Sequence, residues 1–193
     1  LKEEIQYKPD HERLMQIVLR ETDRLSSLVN NFLMFARPPE GRTERVALDA
    51  AVRETLGLFE KDTSIFGKVQ IRKSLAAGVW VEIDPVHLKQ ILWNLLLNAA
   101  EAIGKKGIID VQVTSPGDDT VCLSIEDNGE GMTQETIDAI FDPFFTTKPS
   151  GTGLGLSIVH RILESYQAPL DVHSRLGRGS RFSMLFKAVQ PPV

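Results

Sequence analysis

The chain has 193 residues, 42% of them hydrophobic, and carries a formal net charge of −4 at pH 7. That suffices for one well-buried core with a smaller appendage, while the acidic balance and scattered basic residues argue against a nucleic-acid partner. No apolar run reaches the roughly 18 residues of a membrane span, so no direct membrane contact is expected of this stretch, and its opening residues do not read as a signal peptide. The lone Cys122 cannot form an internal disulfide, which fits a reducing, cytoplasmic setting, and its strand pattern places it facing a helix or solvent.

Leu1-Lys2-Glu3-Glu4 opens in a helix-like pattern without Met, so the chain is expected to be a piece of a longer protein. Asp10 suits the N-cap of a long helix reaching about Ala36. Leu14, Val18, Glu21, Leu25, Leu28, Phe32 and Phe35 follow one another in alternating steps of four and three, a heptad seam. Such a seam is half of a helical hairpin whose first arm ends at Leu1–Ile5, or else an amphipathic helix packed on its own domain. Arg37-Pro38-Pro39-Glu40-Gly41 breaks it, giving a boundary between residues 1–39 and 40–193.

Beyond the boundary, Arg45–Leu48 reads as a strand leading to a helix near Asp49. Val69–Leu75 and Val79–Ile83 alternate as strands, and Asp84 with Pro85 starts a helix reaching about Ile103. Ile108–Thr114 and Val121–Glu126 form a hairpin across Ser115-Pro116-Gly117-Asp118. A loop runs to Gly153, a helix to about Ser165, and strands Leu170–Ser174 and Ser180–Phe186 flank a Gly177-Arg178-Gly179 turn. Strands outnumber helices and adjacent pairs look like hairpins. This predicts an α+β two-layer sandwich of a mixed sheet with about three helices, preceded by one long helix.

Four clusters carry chemistry. Asn94 and Asn98 lie one turn apart beside the stripe Leu88, Ile91, Leu92, Leu95, Leu96 and Ala99. A buried amide without a partner costs about 1–3 kcal/mol. The pair is therefore either helix-surface polarity or a ligand site, and an amide oxygen suits Mg²⁺. Asp127-Asn128-Gly129-Glu130-Gly131 closes an apolar strand. It is an Asn-Gly hairpin turn, or a carboxylate that accepts the exocyclic amine of adenine, with Gly129 at positive φ and Gly131 allowing close approach. Phe141-Asp142-Pro143-Phe144-Phe145-Thr146-Thr147-Lys148 would expose three aromatics unless it folds over something, as a flap would. Gly151-Thr152-Gly153-Leu154-Gly155-Leu156 leaves N–H groups free at a helix start, an anion site. No Gly-x-x-x-x-Gly-Lys-Ser/Thr occurs, and Gln134 and Ile158 spoil Gly-x-Gly-x-x-Gly, which disfavours P-loop and Rossmann sites.

Taken in order, the Asn94/Asn98 pair, Asp127-x-Gly129-x-Gly131, Phe141–Lys148 and Gly151–Leu156 resemble the N, first glycine, F and second glycine boxes of sensor histidine kinases. Glu21–Leu25 and Phe32–Pro38 resemble the second helix of their dimerisation and phosphotransfer hairpin, and Phe-Phe-Thr-Thr-Lys the nitrogen-regulation subgroup. The resemblance implies a Bergerat-type ATP site. Asp127 would contact adenine and Asn98, helped by Asn94, would hold Mg²⁺. A flap from about Thr133 to Thr152 would cover the phosphates, which Gly153 and Gly155 would line, and Ser180 would flank the base. Gly129, Gly131, Met132, Phe145, Thr152, Leu154 and Leu156 complete the implied nucleotide set. It further implies γ-phosphoryl transfer to a histidine, then to an aspartate on a response regulator receiver domain, with a homodimer in the full-length protein.

The sequence departs from that pattern twice. A phosphoacceptor histidine motif is absent, since His11-Glu12 lacks the following proline; His11 reads as a solvated helix-start residue, and His87, His160 and His173 as structural, without a carboxylate or Cys nearby at ligand spacing. Many relatives also place a basic residue one turn after the metal-binding Asn. Here Glu101 stands there, leaving Lys148 as the cation for the γ-phosphate. Two rivals stay open: an ATPase of the gyrase, mismatch-repair or heat-shock type, and a non-catalytic adenine-nucleotide sensor. The ATPases use a Glu where this chain has Asn94, which cannot act as a general base.

Overall fold

In a computed structural model, the described residues are 12–19, 21, 22, 25, 29, 41–61, 67–117, 119–148 and 151–192. Every described residue between 12 and 29 is helical (α1). Within it Leu14, Val18 and Leu25 of the predicted seam are exposed. The cap at Asp10, the seam residues Leu28, Phe32 and Phe35, and the break at Arg37–Glu40 lie outside the described residues.

The remaining elements are β1 (Glu44–Ala47), α2 (Leu48–Phe59), β2 (Val69–Leu75), β3 (Trp80–Ile83), α3 (Pro85–Ala102), β4 (Gly107–Gly117), β5 (Thr120–Asp127), α4 (Gln134–Ala139), α5 (Gly155–Ser165), β6 (Leu170–Arg175) and β7 (Gly179–Val189). The sheet runs β1-β3-β7-β5-β4-β2, with β6 also paired to β7. Only the β2–β4 pairing is parallel, so the sheet is mixed, as expected.

Period-two alternation decides which face is covered. Val121, Leu123, Ile125 and Asp127 of β5 are buried, while Thr120, Cys122, Ser124 and Glu126 are half-buried on the other face. Ile109, Val111 and Val113 of β4 and Phe182, Met184 and Phe186 of β7 extend the buried face. Against it pack Leu48, Val52, Leu56 and Phe59 of α2, the predicted stripe of α3, and Ile158, Val159, Ile162 and Leu163 of α5. Each such side chain contributes roughly 1.5–3 kcal/mol by leaving water. The result is the two-layer α+β sandwich, with Cys122 on the solvent face. Among the described residues, no helix is long and apolar enough to cross a membrane.

Three expectations need correction. β2 and β3 are not a hairpin; β4, β5 and β7 lie between them in the sheet. The linking residues bond outward: Ala76 N–H donates to Val113 O (2.9 Å) on the β4 side, and Val79 O accepts from Leu48 N–H (2.8 Å) on the β1 side. The stretch read as loop contains α4, started by Thr133, whose Oγ1 accepts from Thr136 N–H at 3.3 Å. β4 runs on through the predicted Ser115-Pro116-Gly117 turn by means of a bulge between Thr114 and Gly117, which accommodates a proline that could not sit in a regular ladder. In the aromatic stretch, two of the three rings are covered. Phe141 stacks on His160 (centroids 4.8 Å apart) and Phe145 packs on the core, so only Phe144 is exposed.

Candidate functional site

Asp127 is the last residue of β5, registered between Ile109 of β4 and Ser180 of β7. The alternation that buries Val121, Leu123 and Ile125 carries it inward, leaving it 5% exposed. Its Oδ1 accepts from Gly129 N–H at 2.8 Å. Burial pushes the carboxyl pKa above its ordinary value, and Glu126 adds repulsion. Hydrogen bonds from the Gly129 and Ser180 N–H groups and the charge of Lys148 offset only part of this. A carboxylate has about four acceptor positions, so two backbone donors leave room for a ligand's amine.

The loop after Asp127 is clamped from two sides. Glu130 N–H donates to Ala102 O at the end of α3 (3.0 Å), and Gly177 N–H in the β6–β7 turn donates to Glu130 O (2.6 Å). The positive φ expected at Gly129 falls at Gly131 instead. Gly131 adopts positive φ (66°) and is also a close approach, since a Cβ there would run into Arg175 O, while Gly129 is a second close approach, where a Cβ would lie 2.5 Å from Ala102 O. The contact that excludes a side chain at Gly129 is with α3's own backbone.

Met132 is joined to Ser180, whose N–H bonds Asp127, by a residue that sequence reasoning missed. Ser174 Oγ accepts from Met132 N–H (2.8 Å), donates to Gly179 O (3.0 Å) and touches Ser180 Oγ (2.9 Å). The usable signal was register, because Ser174 faces Ser180 directly across the β6–β7 hairpin.

α3 supplies the second wall. Asn94, Asn98 and Glu101 follow at steps of four and three, so they share one helix face. Asn94 Nδ2 donates to Gln90 O (3.1 Å), and Gly155 fits against Asn94, where a Cβ would lie 3.2 Å from Oδ1. Glu101 pairs with Lys148 (Nζ–Oε2 2.5 Å). Asn98 stands between them, half-buried, and its amide makes none of the side-chain hydrogen bonds found among the described residues.

The glycine-rich loop completes the ring. Phe144 N–H donates to Gly153 O (2.9 Å), tying the aromatic stretch to the start of α5. Thr152 Oγ1 accepts from Leu154 N–H at 3.3 Å. Leu154 is 1% exposed and Leu156 packs on the core, so their side chains anchor the loop. No side chain caps α5, which leaves first-turn N–H groups available to an anion.

Asp127, Gly129, Gly131, Met132 and Ser180 therefore form one cluster at the strand ends. Asn94, Gly153, Gly155, Leu154, Leu156 and Thr152 form another at the α3–α5 contact. Asn98 and Lys148 stand on the α3 side, with Lys148's charge felt at Asp127. Phe145 lies in the connecting segment. Among the described residues, no three His, Cys, Asp or Glu side chains converge to hold a metal. A divalent ion here would rest on amide oxygen and on a ligand's phosphates, which the unpartnered Asn98 amide fits.

The histidines need one correction. His160 lies 3.5 Å from Glu164 and His173 2.8 Å from Asp171, so both have a carboxylate nearby, one helical turn and one strand repeat away. Both pairs are partly exposed, and neither touches the cluster around Asp127. His87 is structural: it is 4% exposed, with Nδ1 2.8 Å from Tyr166 Oη.

Residues 83–190 match the family described as histidine kinase-, DNA gyrase B-, and HSP90-like ATPase. The sensor histidine kinase ZraS of Klebsiella oxytoca is 38% identical over 171 residues, 89% of this chain. The chain spans only 37% of the length of that relative. The catalytic domain of histidine kinase ThkA, nucleotide-free, superposes with a TM-score of 0.68 at 32% identity, over 76% of this chain and 95% of that one. ThkA in complex with the response regulator TrrA gives 0.77 at 26% identity, over 97% and 54%. Full-length ShkA in complex with AMPPNP gives 0.82 at 25% identity, over 97% and 41%.

Proposed function

Since the chain belongs to the histidine kinase-, DNA gyrase B- and HSP90-like ATPase family, as a catalytic ATP-binding domain of the sensor histidine kinase kind, we propose that it binds ATP with Mg²⁺ and transfers the γ-phosphoryl to a histidine outside this chain, for relay to a response regulator aspartate. Residues 40–193 form the catalytic unit. Residues 1–39 are the end of a dimerisation and phosphotransfer hairpin, so the whole protein is a homodimer. The Phe144-Phe145-Thr146-Thr147-Lys148 run supports the nitrogen-regulation-like subgroup, and a cytoplasmic position follows from the phosphorelay.

Asp127 is the observation that carries this reading. A carboxylate buried at a strand end, with acceptor positions left over, suits an adenine amine and rejects the guanine carbonyl at the same place. Ser180 and Met132 flank it through the Ser174 bridge. Asn98 has an amide oxygen to offer the metal, and Asn94 supports it from one turn away. The metal would neutralise phosphate charge when bound. Gly153 and Gly155 bring backbone close to the triphosphate, α5's first-turn N–H groups orient it, and Lys148 offers a mobile cation. Positioning and charge neutralisation then supply most of the catalysis. The ShkA complex with AMPPNP and the ThkA complex with TrrA support the nucleotide and the partner.

Water activation is disfavoured, because Asn94, on the face towards Gly155, is no general base. The test incubates γ-labelled ATP with this chain and a separate helical hairpin carrying the phosphoacceptor histidine. Acid-labile label should appear on the hairpin and almost none on this chain. Hydrolysis without label on the hairpin would replace the kinase reading by an ATPase, and binding without turnover would replace it by a sensor.

A further inference from the structure

We propose that Glu101 is a positioning residue that holds Lys148 away from a bound nucleotide's phosphates, so that it weakens nucleotide binding and hastens release. The inference rests on the ATP reading above. Lys148 Nζ and Glu101 Oε2 lie 2.5 Å apart, with the two side chains 29% and 55% exposed. Both backbone polar groups of Lys148 are bonded. Lys148 N–H donates to Thr146 Oγ1 (3.1 Å), and Gly151 N–H donates to Lys148 O (3.1 Å). What can move is the four-carbon stem, whose ammonium is a point charge free to change partner.

Two partners compete for that charge. Glu101 lies on the Asn94–Asn98 face of α3, three residues beyond Asn98, so a phosphate held near Asn98 comes within reach of the same ammonium. The electrostatic influence of Lys148 on Asp127 agrees with a cation standing over the site's mouth. A polyphosphate carries more charge than one carboxylate and draws Lys148 off. Glu101 is then left unpaired beside like charge, and loss of nucleotide restores the pair. The carboxylate thus opposes binding through the lysine it holds.

The experiment measures affinity and dissociation rate of AMPPNP and ADP for the unsubstituted chain, Glu101→Gln, Lys148→Gln and the double variant. Glu101→Gln should tighten both nucleotides about two- to fivefold and slow their release correspondingly, the scale of a partly exposed ion pair. In the Lys148→Gln background the same substitution should change little. Unchanged or weakened binding in Glu101→Gln overturns the proposal. So does an equal gain in both backgrounds, which would make Glu101 a simple repulsive charge. Absence of nucleotide binding by the unsubstituted chain would overturn the ATP reading itself, and this proposal with it.

Discussion

Asp84 and Asp127 are both buried carboxylates, 9% and 5% exposed, and they mark opposite ends of α3. Asp84 is the helix N-cap. Its Oδ1 accepts from Val86 N–H (2.7 Å), and its Oδ2 from Arg42 N–H (2.6 Å), strapping the segment before β1 onto the helix. Burial works to raise its pKa, but those two donors, with the neighbouring His87, outweigh it and hold the carboxyl below its ordinary value. Tyr166 Oη closes this end by accepting from Asp84 N–H (3.1 Å) and meeting His87 Nδ1. Asp127 lies beside the helix's C-terminal end, where the dipole offers an anion nothing, and burial prevails. At Asp84 both oxygens accept backbone N–H groups that pin the fold and outweigh burial; at Asp127 the backbone donors do not outweigh burial, and acceptor capacity remains for a ligand.

The contrast can be broken most sharply at Asp127. Asp127→Asn should lower affinity for AMPPNP roughly 100-fold or more, because it removes a charge-assisted acceptor in a dry site. The circular dichroism spectrum should stay unchanged, and loss of folded signal would deny that the carboxylate is spare. Asp84→Ala should do the reverse, costing about 2 kcal/mol in urea unfolding through loss of the cap and the Arg42 strap. AMPPNP affinity measured on its folded fraction should move little.

A smaller effect sharpens the comparison by pH. Asp84, with its folded pKa depressed, contributes stability that is present above its unfolded value of 3.8 and lost as pH falls through the folded value. Asp127, with its folded pKa raised from 3.8, contributes stability that is present at low pH and lost as pH rises through the folded value. The cost of Asp84→Ala should therefore shrink on acidification. The pH-dependent part of any gain in Asp127→Asn should grow as pH rises. Urea unfolding across a pH series separates them, and parallel profiles would refute the assignment.

The split between these two ends was only partly legible in the sequence. Asp84 before Pro85 announces a cap locally, because a cap is defined by residues two apart. Asp127 was legible as a strand-end carboxylate, but the Ser174 bridge between Met132 and Ser180 beside it was not, since that depends on hairpin register across β6–β7. The Glu101–Lys148 pair joins residues 47 apart, a separation that no local pattern encodes. α4 was missed because a one-turn-and-a-half helix has too few apolar repeats to show a period.

Period and composition by themselves determined the α+β class, the stripe of α3, the alternation that turns Asp127 inward, and the four clusters that resemble a kinase. All of these are set within a few residues of chain, where backbone geometry fixes side-chain direction. Tertiary structure alone decided that β2 and β3 part company, that Gly129 rather than Gly131 touches α3, and that a flap lysine rests on Glu101. Those outcomes follow from long-range pairing, whose partners are chosen by total burial and hydrogen-bond satisfaction rather than by any neighbour in sequence.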